Sequence, residues 1–493
     1  MKRVLIANRG EISVRISRTL RELGIEAVAV HTREDLHALH VRSADRALEL
    51  SSPRGYLDAQ QLLDRARQAN CDAVHPGYGF LSENAEFAAA CLTAGLCFIG
   101  PAPAAIAAMG SKQRARAAME AAGVPIIPGG DAHTLFEATT TAARVGYPVL
   151  IKATDGGGGK GMRLVNAESE LEQALERTRS EAKNAFGSDA VYIEKAIKHA
   201  RHVEIQVLGD QHGNVVQLFE RDCSIQRRHQ KIIEETPCPA LTPETLAAMG
   251  AVAVRGAASI GYYSAGTFEF LLAPDGAFYF LEMNTRLQVE HPITELVTGL
   301  DLVREMVRVA DGQALGFEQV TRRGAALEVR IYAEDPASGF LPSPGKITRL
   351  RSASGPFVRD DSGVYEGAQV SASYDPLLAK LSVWGEDRPS ALARMRRALA
   401  DYTIAGIVTN LAFLARVIAH PDFARGAYDI DFVSAKLNEL LAEPTASEST
   451  RFLLAAATAV ATQAAAETAP RTEQPGPGGL SPWVSAQRNT LKW

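Results

Sequence analysis

At 493 residues, with 46% apolar and 22% charged side chains, the chain exceeds what one hydrophobic core holds and is otherwise ordinary for a globular protein. Its formal net charge of −5 argues against non-specific binding to nucleic acid or anionic membranes as the main task. The five cysteines form no C-x-x-C pair, which fits a reducing cytoplasm and speaks against a disulfide framework or a zinc site. The opening "MKRVLIANRG" is too short in apolar residues for a signal peptide, and the Ala-rich stretch at 452–466 is too weakly apolar for a membrane span.

In chain order, residues 4–7 read as a strand, 12–23 as a helix ended by Gly24, and 27–30 as a second strand. "CDAVHPGYGFLSEN" (71–84) is a strand end and a glycine-rich loop, with Ser82 the expected N-cap of the next helix. "LCFIG" (96–100) is a further strand. This is a doubly wound α/β layout, which places ligand sites at the carboxyl ends of strands. Only Gly10 follows the first strand, so the dinucleotide fingerprint G-x-G-x-x-G is absent and a nicotinamide reading loses its support.

From 112 the texture changes. A helix over 112–122 ends at Gly123, "YPVLIKA" is a strand, "TDGGGGKGM" a glycine loop and "RLV" a second strand. A helix at 168–183 and the strand "AVYIEKAI" complete a compact unit. Two hairpins follow, turning at 210–214 and 274–276, so the middle of the chain is an antiparallel α+β region. Residues 327–437 form another α+β unit. An Ala-rich helix at about 450–466 and the linker "TEQPGPGG" come after it, and no internal repeat is present.

Several residues suit chemistry. The backbone N–H groups of Gly156–Gly159, Lys160 and Gly161 can converge on an anion, although Lys160 is followed by Gly rather than the Ser or Thr of a Walker A loop. Lys152 shares a strand face with Leu150 and leads into that loop; without an anionic partner its burial would be costly. In "IEKAI" (193–197), Glu194 and Lys195 interrupt an apolar strand, the kind of backbone on which an adenine sits, though a surface edge strand reads equally well. Gln226, Arg227, Arg228, His229 and Lys231 emerge from a core and are expected to share one pocket, whereas Cys223 reads as a small packed residue.

Glu269 lies on one strand of the second hairpin and Glu282 and Asn284 on the other. Cross-strand neighbours on one face are about 5 Å apart. Two carboxylates and an amide at that separation are hard oxygen ligands suited to Mg²⁺ or Mn²⁺. Both carboxylates are embedded in apolar strands and are expected to be buried. Alternation along an extended chain then predicts Glu282, Asn284, Arg286, Gln288 and Glu290 on one face.

Taken together, "RGEISVR" (9–15), "HPGYGFLSEN" (75–84), "GGGGKGM" (156–162), "HVEIQVL" (202–208), "ERDCSIQRRHQK" (220–231), "EMNTRLQVEHPITE" (282–295), "RIYAEDP" (330–336) and "FLPSPGKI" (340–347) resemble the biotin carboxylase family of the ATP-grasp superfamily. The resemblance runs from residue 1 to about 437. It implies a Rossmann-like N-terminal (pre-ATP-grasp) domain over 1–111 and an ATP-grasp domain over 112–326, with a mobile glycine-rich lid at about 125–197. A C-terminal α+β domain over 327–437 and a helical, Pro/Gly-rich extension over 438–493 would complete the chain.

By the same resemblance, ATP is held by Lys112, Lys152, Gly158, Gly159, Glu194, Lys195, Ala196, Ile197, His202, Gln226, His229 and Glu269. Two Mg²⁺ or Mn²⁺ ions sit on Glu269, Glu282 and Asn284. Bicarbonate is held by Lys231, Arg286, Gln288 and the backbone of Val289, with Glu290 as general base. Arg330 stabilises the enolate form of the biotin ureido group. Asp155 departs from the family pattern, which usually has a small residue there.

The implied reaction is ATP- and bicarbonate-dependent carboxylation of biotin through carboxyphosphate, in a cytoplasmic homodimer that touches neither nucleic acid nor membrane. The biotin is expected on a separate carrier protein, since no two methionines stand two residues apart and a Met-Lys-Met site is therefore absent. A carboxyltransferase is the other implied partner. Acetyl-CoA carboxylase, the entry to fatty acid synthesis, is the first choice of complex; propionyl-CoA, methylcrotonyl-CoA and pyruvate carboxylases share the module. Another ATP-grasp ligase would lack Arg330 and the "RLQVEH" spacing, and a non-catalytic scaffold would lack a base, ligand or lysine that is present here. The end "SPWVSAQRNTLKW" reads as a disordered end, with a docking tail or a domain stub as alternatives.

Overall fold

The computed structural model describes residues 1–153 and 162–442. The glycine loop with Asp155, Gly158 and Gly159, the Ala-rich helix and the terminal extension from 443 onward lie outside the described residues.

Short runs of Val, Leu, Ile and Ala build the first sheet. It is parallel and five-stranded, in the spatial order Arg46–Glu49, Glu26–His31, Arg3–Ile6, Ala73–His75, Cys97–Phe98. Val4, Leu5, Ala27, Val28, Ala73 and Val74 are all fully buried, as strands covered on both faces must be. The helix Gly10–Glu22 follows the central strand and stops before Gly24, whose φ of 71° only glycine adopts easily.

The expected cap at Ser82 is corrected. The helix Ala85–Thr93 is capped by Asn84, whose side chain accepts the Phe87 N–H at 2.7 Å. Both residue types cap well. In the loop before this helix, Asn8 donates to the carbonyls of Pro76 and Tyr78 at 2.7 Å each.

A second, four-stranded sheet has the order Gly129–Asp131, Val191–Lys195, Val149–Ala153, Met162–Val165. The helices Leu135–Val145 and Leu171–Phe186 pack on it. A capping box between Thr134 and Glu137 starts the first of these helices. The strand Val149–Ala153 alternates buried and half-buried residues, so Lys152 and Leu150 do share a face.

The third sheet carries most of the chemistry. Its eight strands run Phe278–Asn284, Ser264–Leu272, Arg201–Gly209, Val215–Arg227, Gln230–Thr236, Ala325–Tyr332, Leu377–Gly385, Val358–Ser362, and all pair antiparallel. Both expected hairpins are present. The hairpin between Val215–Arg227 and Gln230–Thr236 turns on Arg228 and His229, with φ of 50° and 65°, the paired positive values of a type I′ turn. Strand Ala325–Tyr332 pairs with Gln230–Thr236 on one side and Leu377–Gly385 on the other, so one sheet joins the middle of the chain to its C-terminal part. Residues Met1–Leu441 form one compact unit. Among the described residues no helix is long and apolar enough to cross a membrane.

Candidate active site

The hairpin of strands Ser264–Leu272 and Phe278–Asn284 sets Glu269 opposite Glu282 and Thr267 opposite Asn284. Glu269 is buried, 6% exposed, whereas Glu282 is exposed to a cleft rather than buried as expected from its apolar neighbours. Two features account for this correction. Phe278–Asn284 is the terminal strand of the sheet, and the ladder skips a residue between the Glu269–Glu282 and Phe270–Phe280 pairs, a bulge that re-aims the side chain. Desolvation by the cleft wall around it, then the charge of Glu269, push the Glu282 carboxyl upward although its tip reaches solvent.

Lys231 is the hub of the site. Its ammonium donates to Glu204 at 2.6 Å, Glu269 at 2.8 Å and Glu290 at 2.7 Å. Burial would lower its pKa, but the three carboxylates hold it well above the ordinary lysine value. Glu269 also accepts from Asn284 at 2.9 Å and lies 2.9 Å from His202 Nε2. Burial alone would raise the Glu269 carboxyl; Lys231 and His202 outweigh it and hold it far below the usual range.

Glu290 occupies the N-cap position of the helix His291–Thr298 and is fully buried. One of its oxygens takes Lys231 and the other takes Arg330 Nη2 at 2.9 Å. Burial opposes ionisation here too, and Lys231, Arg330 and Arg221 overcome it, so Glu290 is held well below the usual carboxylate range. Arg330 is anchored on its other side by Glu234 at 2.6 Å.

The expected alternation from Glu282 to Glu290 does not continue. The strand ends at Asn284 and residues 285–290 form an irregular loop that turns at 289–290 into the helix. Convergence is achieved differently: Arg286 folds back to donate to Asn284 at 2.9 Å and Gln288 at 3.0 Å, and Gln288 reaches Glu269 at 3.4 Å. The backbone of Val289 is fixed by Lys380, which donates to its carbonyl at 2.7 Å.

Beside this cluster lies a cleft of about 700 Å³. Lys112, Lys152, Glu194, His202, Gln226, His229, Glu269 and Glu282 line it, together with Ile126, Ile127, Tyr192 and Phe280. Lys152 is ion-paired with Glu194 at its mouth. Lys195, Ala196 and Ile197 are not among its lining residues. The Lys195 ammonium turns away onto the carbonyls of Gly146 at 2.9 Å and Tyr147 at 3.0 Å.

The basic run is likewise split rather than gathered in one pocket. Gln226 and His229 face the cleft and Lys231 the carboxylates, but Arg227 turns to Glu334 at 2.9 Å and lies over the Phe340 ring at 4.2 Å. Arg228 is exposed at the hairpin tip, where a two-residue turn projects its side chains outward. Cys223 is buried and inert as expected, its thiol pushed up by burial first and then by Glu204.

Three residues of this site were not singled out from the sequence. Glu204 is fully buried and joins Lys231 to Arg221. Glu83, from the N-terminal part of the chain, accepts from Arg286 Nε at 2.8 Å and from the Thr285 N–H at 3.0 Å. Lys380 is the third. A charged residue inside the strand "HVEIQVL" is the one local signal among them; Glu83 and Lys380 act across more than ninety residues and leave none.

A lysine-lined cleft bounded by paired carboxylates, beside a buried carboxylate held between two cations, suits a polyphosphate next to a small anion, and the relatives of the chain give the class: an ATP-dependent carboxylase ligase. Residues 1–106 match the family model "Biotin carboxylase, N-terminal domain", 111–318 "Carbamoyl-phosphate synthase L chain, ATP binding domain", and 328–435 "Biotin carboxylase C-terminal domain". The chloroplastic biotin carboxylase of Arabidopsis thaliana is 50% identical over 449 residues, covering 90% of this chain and 83% of that protein. The mitochondrial methylcrotonoyl-CoA carboxylase subunit alpha of Oryza sativa subsp. japonica is 48% identical over 454 residues, and this chain spans 62% of its length and 90% of its own. The biotin carboxylase domain dimer of Hydrogenobacter thermophilus 2-oxoglutarate carboxylase, solved with MgADP, ADP and bicarbonate, superposes with a TM-score of 0.84 at 43% identity, over 90% of this chain and 99% of that one. The chain belongs to the biotin carboxylase family.

Proposed function

We propose that the chain carboxylates biotin on a carrier protein, driven by cleavage of ATP and with bicarbonate as carbon source. The observation that carries this reading is Glu290, a buried carboxylate kept ionised between Lys231 and Arg330 and joined through Lys231 to Glu269 on the cleft wall.

In this reading the cleft takes ATP on Lys112, Lys152, His202, Gln226 and His229, and the resemblance to the family adds Gly158 and Gly159, which lie outside the described residues. Bicarbonate sits against Lys231, Arg286, Gln288 and the backbone of Val289. An anion that draws Lys231 away weakens its hold on Glu290, so the Glu290 pKa rises toward that of a working base. Glu290 takes the bicarbonate proton while the bicarbonate oxygen bonds to the γ-phosphorus and ADP leaves. The carboxyphosphate formed breaks its C–O bond to give CO₂ and phosphate. Phosphate takes the proton from N1′ of biotin, Arg330 balances the charge on the ureido oxygen, and N1′ bonds to CO₂.

The cross-strand carboxylates Glu269 and Glu282 with Asn284 form a hard-oxygen set whose like charges a divalent cation relieves, so the residues fit Mg²⁺ or Mn²⁺. Such ions, when bound, neutralise the phosphate charge that repels the incoming anion.

No Met-Lys-Met site occurs in the chain, which supports biotin presented from outside these 493 residues by a biotin carboxyl carrier protein, with a carboxyltransferase as the next partner. Acetyl-CoA carboxylase, in a cytoplasmic assembly built on a homodimer, is the complex we assign. The test is bicarbonate-dependent release of ADP stimulated by biotin, with carbon from labelled bicarbonate recovered in carboxybiotin. ADP release indifferent to both bicarbonate and biotin overturns the reading. Copurification with a pyruvate or methylcrotonyl-CoA carboxyltransferase instead reassigns the complex.

A further inference from the structure

Behind Arg330 lie two carboxyl groups that the reaction above does not use. Glu234 and Glu328 are register partners on adjacent antiparallel strands, Gln230–Thr236 and Ala325–Tyr332, and both are fully buried. Direct partners share a face of the sheet with Cβ atoms about 5 Å apart, and like charges there repel. Each group uses one oxygen: Glu234 Oε1 accepts from Arg330 at 2.6 Å and Glu328 Oε2 from the Ser382 hydroxyl at 2.7 Å. The other oxygens, Glu234 Oε2 and Glu328 Oε1, are both buried with no donor. Two orphan acceptors on directly opposed residues of one sheet face are satisfied together when the pair shares one proton.

The surrounding charges do not remove the need for it. Lys231, on the strand of Glu234, is shared by Glu204, Glu269 and Glu290. Arg330, on the strand of Glu328, is shared by Glu234 and Glu290. Arg221 is held by Glu204 and Lys380 by Val289 and Glu11. On the helix His291–Thr298, which packs on these strands, Glu295 is taken by Arg15 and Arg359, and burial keeps His291 neutral. Carboxylates outnumber cations in this layer.

We propose that Glu234 and Glu328 hold a single shared proton and act together as a positioning pair, keeping the Arg330 guanidinium seated against Glu290 and the local charge compatible with an anionic substrate. The inference rests on the proposed carboxylation of biotin. Burial, as the largest cause, raises both carboxyls, Glu234 to about 8 and Glu328 to about 7, so the pair still holds a proton at neutrality and gives up the last one as the pH rises through about 8. An extra buried negative charge then opposes bicarbonate.

The experiment is the pH dependence of the KM for bicarbonate in biotin-stimulated ADP release. In the wild-type chain KM rises on the order of tenfold as the pair ionises, a change of one pKa-unit equivalent in binding. In Glu328→Gln, whose amide donates permanently to Glu234, KM stays flat across the same interval. Ser382→Ala removes a hydroxyl that favours the ionised pair and moves the rise to higher pH. Glu11→Gln, a control for the other buried carboxyl raised to about 7, leaves the rise in place. An identical rise in wild type and Glu328→Gln, or a profile unmoved by Ser382→Ala, overturns the proposal. Absence of any bicarbonate-dependent activity in the wild type overturns the functional reading instead.

Discussion

Lys231 donates to Glu290 across 2.7 Å while the same ammonium also holds Glu204 and Glu269, so one cation links the carboxylate proposed as base to a carboxylate proposed for metal. Removal of any member therefore changes the charge felt by the others, and the consequences differ by position.

Glu290→Gln leaves an amide of the same size between Lys231 and Arg330. Bicarbonate-dependent ADP release falls by roughly 10²–10⁴-fold, the range expected for loss of a positioned base. Nucleotide affinity is retained, because Glu290 does not line the cleft. Single-turnover ADP release beside equilibrium nucleotide binding makes the comparison; retained turnover rules out the base.

Arg330→Ala strips the cation from Glu234 and one of two hydrogen-bonded cations from Glu290, which keeps Lys231. Carboxybiotin formation drops further than ADP release, since the guanidinium is assigned to the ureido oxygen. Loss of the Glu234 partner in a buried site costs about 3–5 kcal/mol of stability, seen as a lowered Tm. Equal loss of both activities contradicts the division of roles.

Glu282→Gln removes one carboxylate of the cross-strand Glu269–Glu282 pair without touching Lys231. ADP release is lost at ordinary Mg²⁺ while nucleotide still binds. A magnesium titration decides: unchanged turnover at every concentration removes Glu282 from the metal set.

Glu83→Ala unseats Arg286 from the N-terminal side. Arg286 keeps its bonds to Asn284 and Gln288, so it remains in the site but loses its charged anchor. KM for bicarbonate rises by about tenfold or less, because Glu83 is partly exposed and its pair is screened, with kcat little changed. A fall in kcat at constant KM argues against a positioning role.

Glu269 and Glu290 both have depressed folded-state pKa values. A depressed carboxyl stabilises the fold fully above the unfolded pKa, about 4.3 for Glu, and loses that contribution as pH falls through the folded value. Stability in denaturant titrations is therefore maintained down to about pH 4.5 on account of these groups and declines below it. In Glu269→Gln the acid decline is shallower. An equal slope in the two chains shows that Glu269 carries none of this linkage.

Much of this site was legible from local signals. Period-2 strands around "GDQHGN" and "APDG" specify two hairpins, and a hairpin sets its own register, so the facing of Glu269 and Glu282 follows from a short stretch of chain. The helix over 112–122 and the Lys152–Leu150 face are local in the same sense. Ordered motifs from 9 to 347 were enough to imply the family. What local pattern misjudged was the path beyond Asn284, where the chain leaves the strand, and the side of the hairpin on which Arg227 lies.

Other features were decided by tertiary structure alone. Glu83 meets Arg286 across 203 positions, Lys380 meets Val289 across 91, and Glu234 faces Glu328 because Gln230–Thr236 and Ala325–Tyr332 lie side by side in one sheet. The sequence by itself determined which residues are chemically able to act and which short segments hold them. Which carboxylate is ionised, which is exposed and which must share a proton depends on burial and on charges brought in from distant strands, because a pKa answers to the field of every neighbour and not to the order of the chain.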